Sequence, residues 1–141
     1  MNFEDTLKVG AKVYDIGYAE IGGKYYCLND DGTPDLGSGY NDLQCGFDED
    51  GNPIQPIDFI FIDFGKCVIY PNTSAKLITL ADGKQYAYSY ELVAPLSKKK
   101  YPLIPKEGDK VWLTKKDGTI DKEIEVQGFN TYKQRYLKLW L

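Results

Sequence analysis

Apolar and polar residues alternate with a period of two along much of this chain, and no segment sustains the period of a helix. Residues 123–127 and 136–141 alternate in this way and predict half-buried strands. Residues 59–64 and 76–80 are denser runs of β-branched, aromatic and aliphatic residues, which predict strands covered on both faces. One phrase occurs twice: Val9, Gly10, Ala11, Lys12, Val13 and Tyr14 answer to Glu107, Gly108, Asp109, Lys110, Val111 and Trp112. A glycine that permits a tight turn, followed by Lys-Val-aromatic on an alternating strand, is how small, strongly bent barrels often begin. Asp-Gly pairs at Asp31, Asp50, Asp82 and Asp117 punctuate the chain, and those at Asp82 and Asp117 predict hairpin turns between strands. Helix is expected only as a turn at residues 2–7 or 90–93. The pattern predicts an all-β protein.

Composition then divides the chain. Pro95, Ser97, Lys98, Lys99, Lys100, Pro102 and Pro105 fall in a stretch that cannot pair as a central strand, so residues 97–106 are expected to link two lobes. Before it, in residues 1–96, 6 lysines face 15 acidic residues, a net charge of −9; after Leu96, 11 basic residues face 6 acidic ones, a net charge of +5. An acidic lobe (1–96) and a basic, three-stranded lobe (107–141) are thereby expected.

The full 141 residues carry no histidine, which removes Ser-His-Asp, Cys-His and His-metal chemistry together. No phosphate-cradling glycine loop with its lysine is present either, and the expectation is a protein that is not an enzyme and uses no cofactor. Cys27, Cys45 and Cys67 have no Cys-x-x-Cys spacing, so neither a disulfide framework nor a zinc site is expected, which suits a cytoplasmic protein. No apolar stretch is long enough to span a membrane, and residues 1–7 carry no basic patch followed by an apolar run, so neither membrane spanning nor secretion by a standard signal peptide is expected.

The run Leu7, Lys8, Val9, Gly10, Ala11, Lys12, Val13, Tyr14, Asp15, Ile16, Gly17, Tyr18 resembles the opening of small SH3-like proteins encoded by gut Bacteroidetes and their phages and mobile elements. Leu77, Ile78, Thr79, Leu80, Ala81, Asp82, Gly83, Lys84, Gln85 and Tyr86 resemble the hairpin of that pattern, with residues 64–67 at the start of its second strand. With the repeated phrase, the resemblance implies two small, partly open SH3-like barrels in tandem, the first interrupted by an inserted loop at 21–60. It also implies an accessory interaction protein, in the sharpest form an anti-CRISPR-like inhibitor of a host nucleic-acid-targeting defence enzyme.

The insertion is the expected functional segment, because long loops in small domains are usually functional or disordered, and this one is rich in both aromatics and acids. Asp30, Asp31, Asp35, Tyr40, Asp48, Glu49 and Asp50 are the candidate contacts to a protein partner with a basic groove. The competing reading gives these acids only turns and solubility. Asp48, Asp50 and Asn52 resemble part of a calcium loop, but the bidentate glutamate that should follow is replaced by Phe59 or Ile60, and no metal is expected. A glycosidase-like pair of carboxylates has no marked members. Removing residues 22–52 is expected to leave a folded barrel.

Tyr86, Tyr88 and Tyr90 would share one face of a strand, as a base-stacking platform or as barrel wall, and the wall is favoured. Trp112 and Trp140 are expected to pack between strands. Nucleic acid is the alternative partner, held by the basic lobe through Lys98, Lys99, Lys100, Lys115, Lys116 and Arg135. Pairing of the basic lobe with the acidic one is the simpler use of those charges.

Overall fold

Leu7, Val9 and Ala11 are fully buried while Lys8 and Lys12 are exposed, and the strand that carries them is central to the molecule. The computed structural model describes residues 2–15, 17–38, 48–52, 54–73, 77–79, 83, 85–132 and 135–141. Among these the strands are β1 (Asp5–Tyr14), β2 (Tyr18–Ile21), β3 (Lys24–Cys27), β4 (Asp58–Pro71), β5 (Leu77–Thr79), β6 (Gln85–Ala87), β7 (Tyr90–Pro95), β8 (Lys110–Thr114), β9 (Asp121–Glu125), β10 (Gly128–Tyr132) and β11 (Tyr136–Trp140). The only helical elements among the described residues are 3-10 turns at Leu36–Ser38 and Lys98–Leu103. The fold is all-β, as expected.

Nine strands form one sheet, in the order β10-β11-β7-β4-β1-β2-β3, with β8 and β9 branching from β1. Along one side β1 pairs with β4 from Asp5 to Val13, with a bulge between Leu7 and Lys8. Along the other it pairs first with β8, from Thr6 to Val9, and then with β2, from Lys12 to Tyr14. The far end of β4 passes to β7, so one long strand joins both halves of a strongly curled half-barrel. A bulge increases local twist, which helps so long a strand to bend.

The inner face holds Leu7, Val9, Ile69, Leu92, Val111, Leu113, Leu137 and Leu139, each no more than 1 % exposed. Each such side chain contributes roughly 1.5–3 kcal/mol by burial. The alternation at residues 136–141 is realised in β11, and Leu141 closes it by exchanging backbone hydrogen bonds with Tyr90.

The strands after residue 106 are divided between two places in this sheet. β8 and β9 lie beside β1, whereas β10 and β11 lie beside β7. The segment expected to be a linker packs against the core through Leu103, 5 % exposed, and Pro105 is buried as well.

Several local expectations are corrected. Residues 2–7 and 90–93 form no helix, because Asp5, Thr6 and Leu7 pair with β4 and Tyr90–Pro95 pairs with β4 and β11. Tyr88 is not in the strand of residue 86: Asn72 Nδ2–H donates to its carbonyl, its hydroxyl donates to Glu91, and the chain turns there from β6 into β7. Tyr86, Tyr88 and Tyr90 therefore make no single strand face. β5 is three residues long and pairs only with β6, and Leu77 is 55 % exposed rather than covered. The hairpin around Gly83 and the β8–β9 turn at Gly118 stand where the Asp-Gly pairs placed them, each glycine at positive φ. Tyr26, in the first part of the insertion, is 2 % exposed and belongs to the core, so removing residues 22–52 would open the interior.

Candidate functional site

The sheet divides at β1, and a cleft opens at the division. β8 leaves β1 after Val9 and β2 joins it at Lys12, so Gly10 and Ala11 face the gap between them. The resulting cleft has a volume of about 490 Å³ and is walled by Lys12, Glu20, Phe59, Asp109, Lys110 and Glu123 over Gly10. A Cβ at Gly10 would lie 2.4 Å from Phe59 Cζ and 2.6 Å from the Lys110 carbonyl oxygen. Glycine is needed there for close approach, not for a turn. In the second copy of the repeated phrase Gly108 has φ 87° in the turn before β8, so the two glycines serve different purposes.

Cross-strand register sets the outer face around this cleft. Lys12 stands between Phe59 on β4 and Glu20 on β2; Lys8 stands between Asp63 on β4 and Trp112 on β8; Trp112 faces Glu123 on β9. Phe59 and Phe61 meet edge to face at 5.2 Å, and Phe61 and Trp112 do so at 5.6 Å, which makes a continuous aromatic strip across β4 and β8. Such contacts fix ring orientation and add about 0.5–1.5 kcal/mol per pair. Trp112 Nε1–H donates to Asp121 Oδ1 at 2.7 Å, so the indole is fixed from the β9 side as well. Phe59 is 37 % exposed.

Two carboxylates in the cleft are held by neighbours. Tyr14 donates its hydroxyl to Glu20 Oε2 at 3.0 Å, and burial together with that bond keeps the phenol protonated well above its ordinary range. Asp109 Oδ2 accepts the Lys106 N–H at 3.0 Å. Burial pushes the Asp109 carboxyl above its ordinary value, Glu20 adds to the rise, and Lys106 and Lys12 oppose it. The cleft thus offers ammonium donors, carboxylate acceptors and an aromatic wall side by side.

The acids expected to meet a partner are exposed, but they lie in separate turns. Asp31 accepts the N–H and hydroxyl of Thr33 at 2.9 and 2.5 Å, which hold its carboxyl below the ordinary range. Asp35 accepts the Gly37 N–H, and Asp48 Oδ1 accepts those of Asp50 and Asn52. These are Asx-type turns, so Asp31, Asp35 and Asp48 shape their own loops. Asp30, Glu49 and Asp50 are exposed beside them, and Tyr40 lies outside the described residues. The first of these turns is tied to β3 through the Leu28–Pro34 bridge and the Asp35 N–H bond to the Cys27 carbonyl.

The basic candidates are divided too. Lys115 pairs with Asp5 at 3.5 Å and donates to the Ile69 carbonyl, and Lys116 pairs with Glu4 at 3.2 Å. Lys100 lies over the Phe64 ring at 5.0 Å. Lys98 and Lys99 begin the 3-10 turn of residues 98–103, and the Arg135 carbonyl accepts the Leu96 N–H close by, so Arg135 and the lysine run share one end of β7. Lys115 and Lys116 stand instead at the beginning of β1, occupied by acids of the same chain.

Lys12, Glu20, Phe59, Phe61, Asp109, Trp112 and Glu123 were outside the sequence-based site, and Lys110 entered it only as one of the lysines of the basic lobe. One signal pointed to them. Lys12 and Lys110 hold equivalent places in the repeated phrase, and the antiparallel pairing of β1 with β8, which ends at Val9 and Val111, brings both lysines to the wall of the same cleft. Comparison of the chain with protein families, curated proteins and solved structures gave no match.

Proposed function

We propose that this protein acts by binding rather than catalysis, and that its ligand face is the outer side of β4, β1 and β8 at the division of the sheet. The observation that carries this reading is the juxtaposition of the Phe59–Phe61–Trp112 strip with an open cleft. Its volume falls within the range of about 300–1,000 Å³ common to ligand sites. The surface is preorganised: Gly10 seats the Phe59 ring and Asp121 fixes Trp112, so little ordering cost remains for binding.

The test uses Trp140→Phe protein, in which Trp112 is the sole indole, challenged separately with neutral oligosaccharides, a dT oligonucleotide and a proline-rich peptide. Saturable change in Trp112 emission by one class, weakened by Phe59→Ala, supports the reading. No change with any class refutes it.

The narrower role implied by the resemblance, an accessory inhibitor that engages the basic groove of a nucleic-acid-targeting enzyme, would use the inserted loop. It is supported by the tethering of the first acidic turn to β3, which holds Asp30 and Asp31 in a defined place. Replacement of Asp48, Glu49 and Asp50 by Asn, Gln and Asn should then slow association and flatten its salt dependence. Unchanged association would remove the loop from the interface.

A further inference from the structure

We infer that the ligand of the divided-sheet face is a neutral oligosaccharide, an inference that rests on the binding reading above and gives it a chemical class. The argument begins with charge. On this face Lys8, Lys12 and Lys110 are interleaved with Glu20, Asp63, Asp109 and Glu123, and register sets Lys12 beside Glu20 and Lys8 beside Asp63. A polyanion needs a groove of one sign along its backbone, as single-stranded nucleic acid does. A strongly charged partner of either sign would meet repulsion from at least three of these groups. An uncharged ligand meets none.

Donors and acceptors are also neighbours on this face. Ammonium groups only donate and carboxylates only accept, so a ligand satisfying both along one face must itself donate and accept at adjacent positions. Vicinal hydroxyl groups do that. The remaining surface is aromatic, and a pyranose ring presents an apolar C–H face between its rims of hydroxyls. Phe59, partly exposed at the cleft wall, and Trp112, fixed at its polar edge by Asp121, can cover such faces while Lys12, Glu20 and Lys110 reach the hydroxyls. Burying hydroxyls is tolerable only where each finds a partner, which this interleaving supplies. A cleft of about 490 Å³ has room for a disaccharide unit, with the strip across Phe61 to Trp112 continuing beyond it.

The experiment is a titration of Trp140→Phe protein with cellohexaose, maltohexaose, laminarihexaose and fully N-acetylated chitohexaose, read by Trp112 emission and repeated calorimetrically with the native protein. One of the four is expected to bind saturably, with an affinity that is nearly unchanged between low and half-molar salt. Phe59→Ala should weaken it about tenfold, and Trp112→Ala, tested by calorimetry, at least as much. Thermal melts establish that the variants are folded, and Lys12→Met with Glu20→Gln provides a second, less disruptive pair that should also weaken binding. Binding by none of the sugars overturns the inference, as does sugar binding indifferent to both Phe59→Ala and the Lys12/Glu20 pair. If the sugars fail while the dT oligonucleotide or the peptide perturbs Trp112, the ligand class is wrong and the binding face stands. If all fail, both fall.

Discussion

Replacing Asp5 with alanine should cost this protein a large part of its stability. Asp5 is 5 % exposed, the one charged side chain buried among the described residues, and it ties three segments together. Its Oδ2 accepts the Ile69 N–H of β4 at 2.9 Å, its Oδ1 accepts the Lys116 N–H of the β8–β9 turn at 2.9 Å, and Lys115 Nζ lies 3.5 Å away. Alanine leaves both N–H groups without their acceptor and the Lys115 ammonium without its counter-charge. A hydrogen bond to a charged group contributes about 1.5–3 kcal/mol, and breaking a buried pair by deleting one partner costs about 3–5 kcal/mol. We therefore expect a loss of about 3–5 kcal/mol for Asp5→Ala. Lys115 is partly solvated and keeps its bond to the Ile69 carbonyl, so the upper end is an outer bound. Asp5→Asn keeps one acceptor oxygen and should lose roughly half as much. Urea denaturation measures this, with the midpoint falling and the slope unchanged. A loss for Asp5→Ala of less than about 1 kcal/mol, typical of a surface pair, would refute the reasoning.

Three further outcomes are expected. Gly10→Ala should destabilise the fold by about 1–3 kcal/mol through overpacking against the Lys110 carbonyl, and should displace the Phe59 ring, detected as a change in Trp112 emission through Phe61; an unchanged melting temperature and emission would contradict it. The Asp109 carboxyl is raised above its ordinary value of 3.8, so the folded state holds this proton more tightly than the unfolded one, and its contribution to stability falls as pH rises through and above that value; Asp109→Asn should gain stability relative to the native protein at neutral pH but not at pH values well below 3.8, and a constant difference across pH would count against it. Cys67 is fully buried and its thiol is pushed up to about 12 by burial and by Asp5, so its peptide should resist iodoacetamide in native protein and label fully in urea, as mass spectrometry can establish; rapid native labelling would be the contrary result.

What could be read in the sequence was what depends on neighbours along the chain. Leu7, Val9 and Ala11 alternate with Lys8, Gly10 and Lys12, and Leu137, Leu139 and Leu141 alternate with Lys138 and Trp140; both runs follow a strand with these residues inside. Asp-Gly pairs marked turns for the same local reason. What depended on distant partners was not legible. Asp5 sits in a strand because β4 and the β8–β9 turn supply its hydrogen bonds, and nothing within residues 2–7 records that. Tyr86, Tyr88 and Tyr90 have a strand's spacing, yet Tyr88 lies between β6 and β7, with its carbonyl bonded by the distant Asn72 and its hydroxyl by Glu91. The charge change near residue 97 is real in composition, but charge does not decide which strands pair, and β8 joins β1 across it. Phe59, Phe61 and Trp112 become one strip only through register, so the site was visible in advance only as the repeated Lys-Val-aromatic phrase.

Amide chemical-shift mapping of the isotope-labelled protein, titrated one at a time with the four oligosaccharides and the dT oligonucleotide, tests the central claim most directly. The account predicts that a neutral oligosaccharide moves the amides of Gly10, Lys12, Glu20, Phe59, Lys110 and Trp112 in a saturable way and leaves those of Asp30, Asp31, Glu49 and Asp50 in place. Shifts confined to the acidic turns, or to Lys98, Lys99, Lys100 and Arg135, would contradict it.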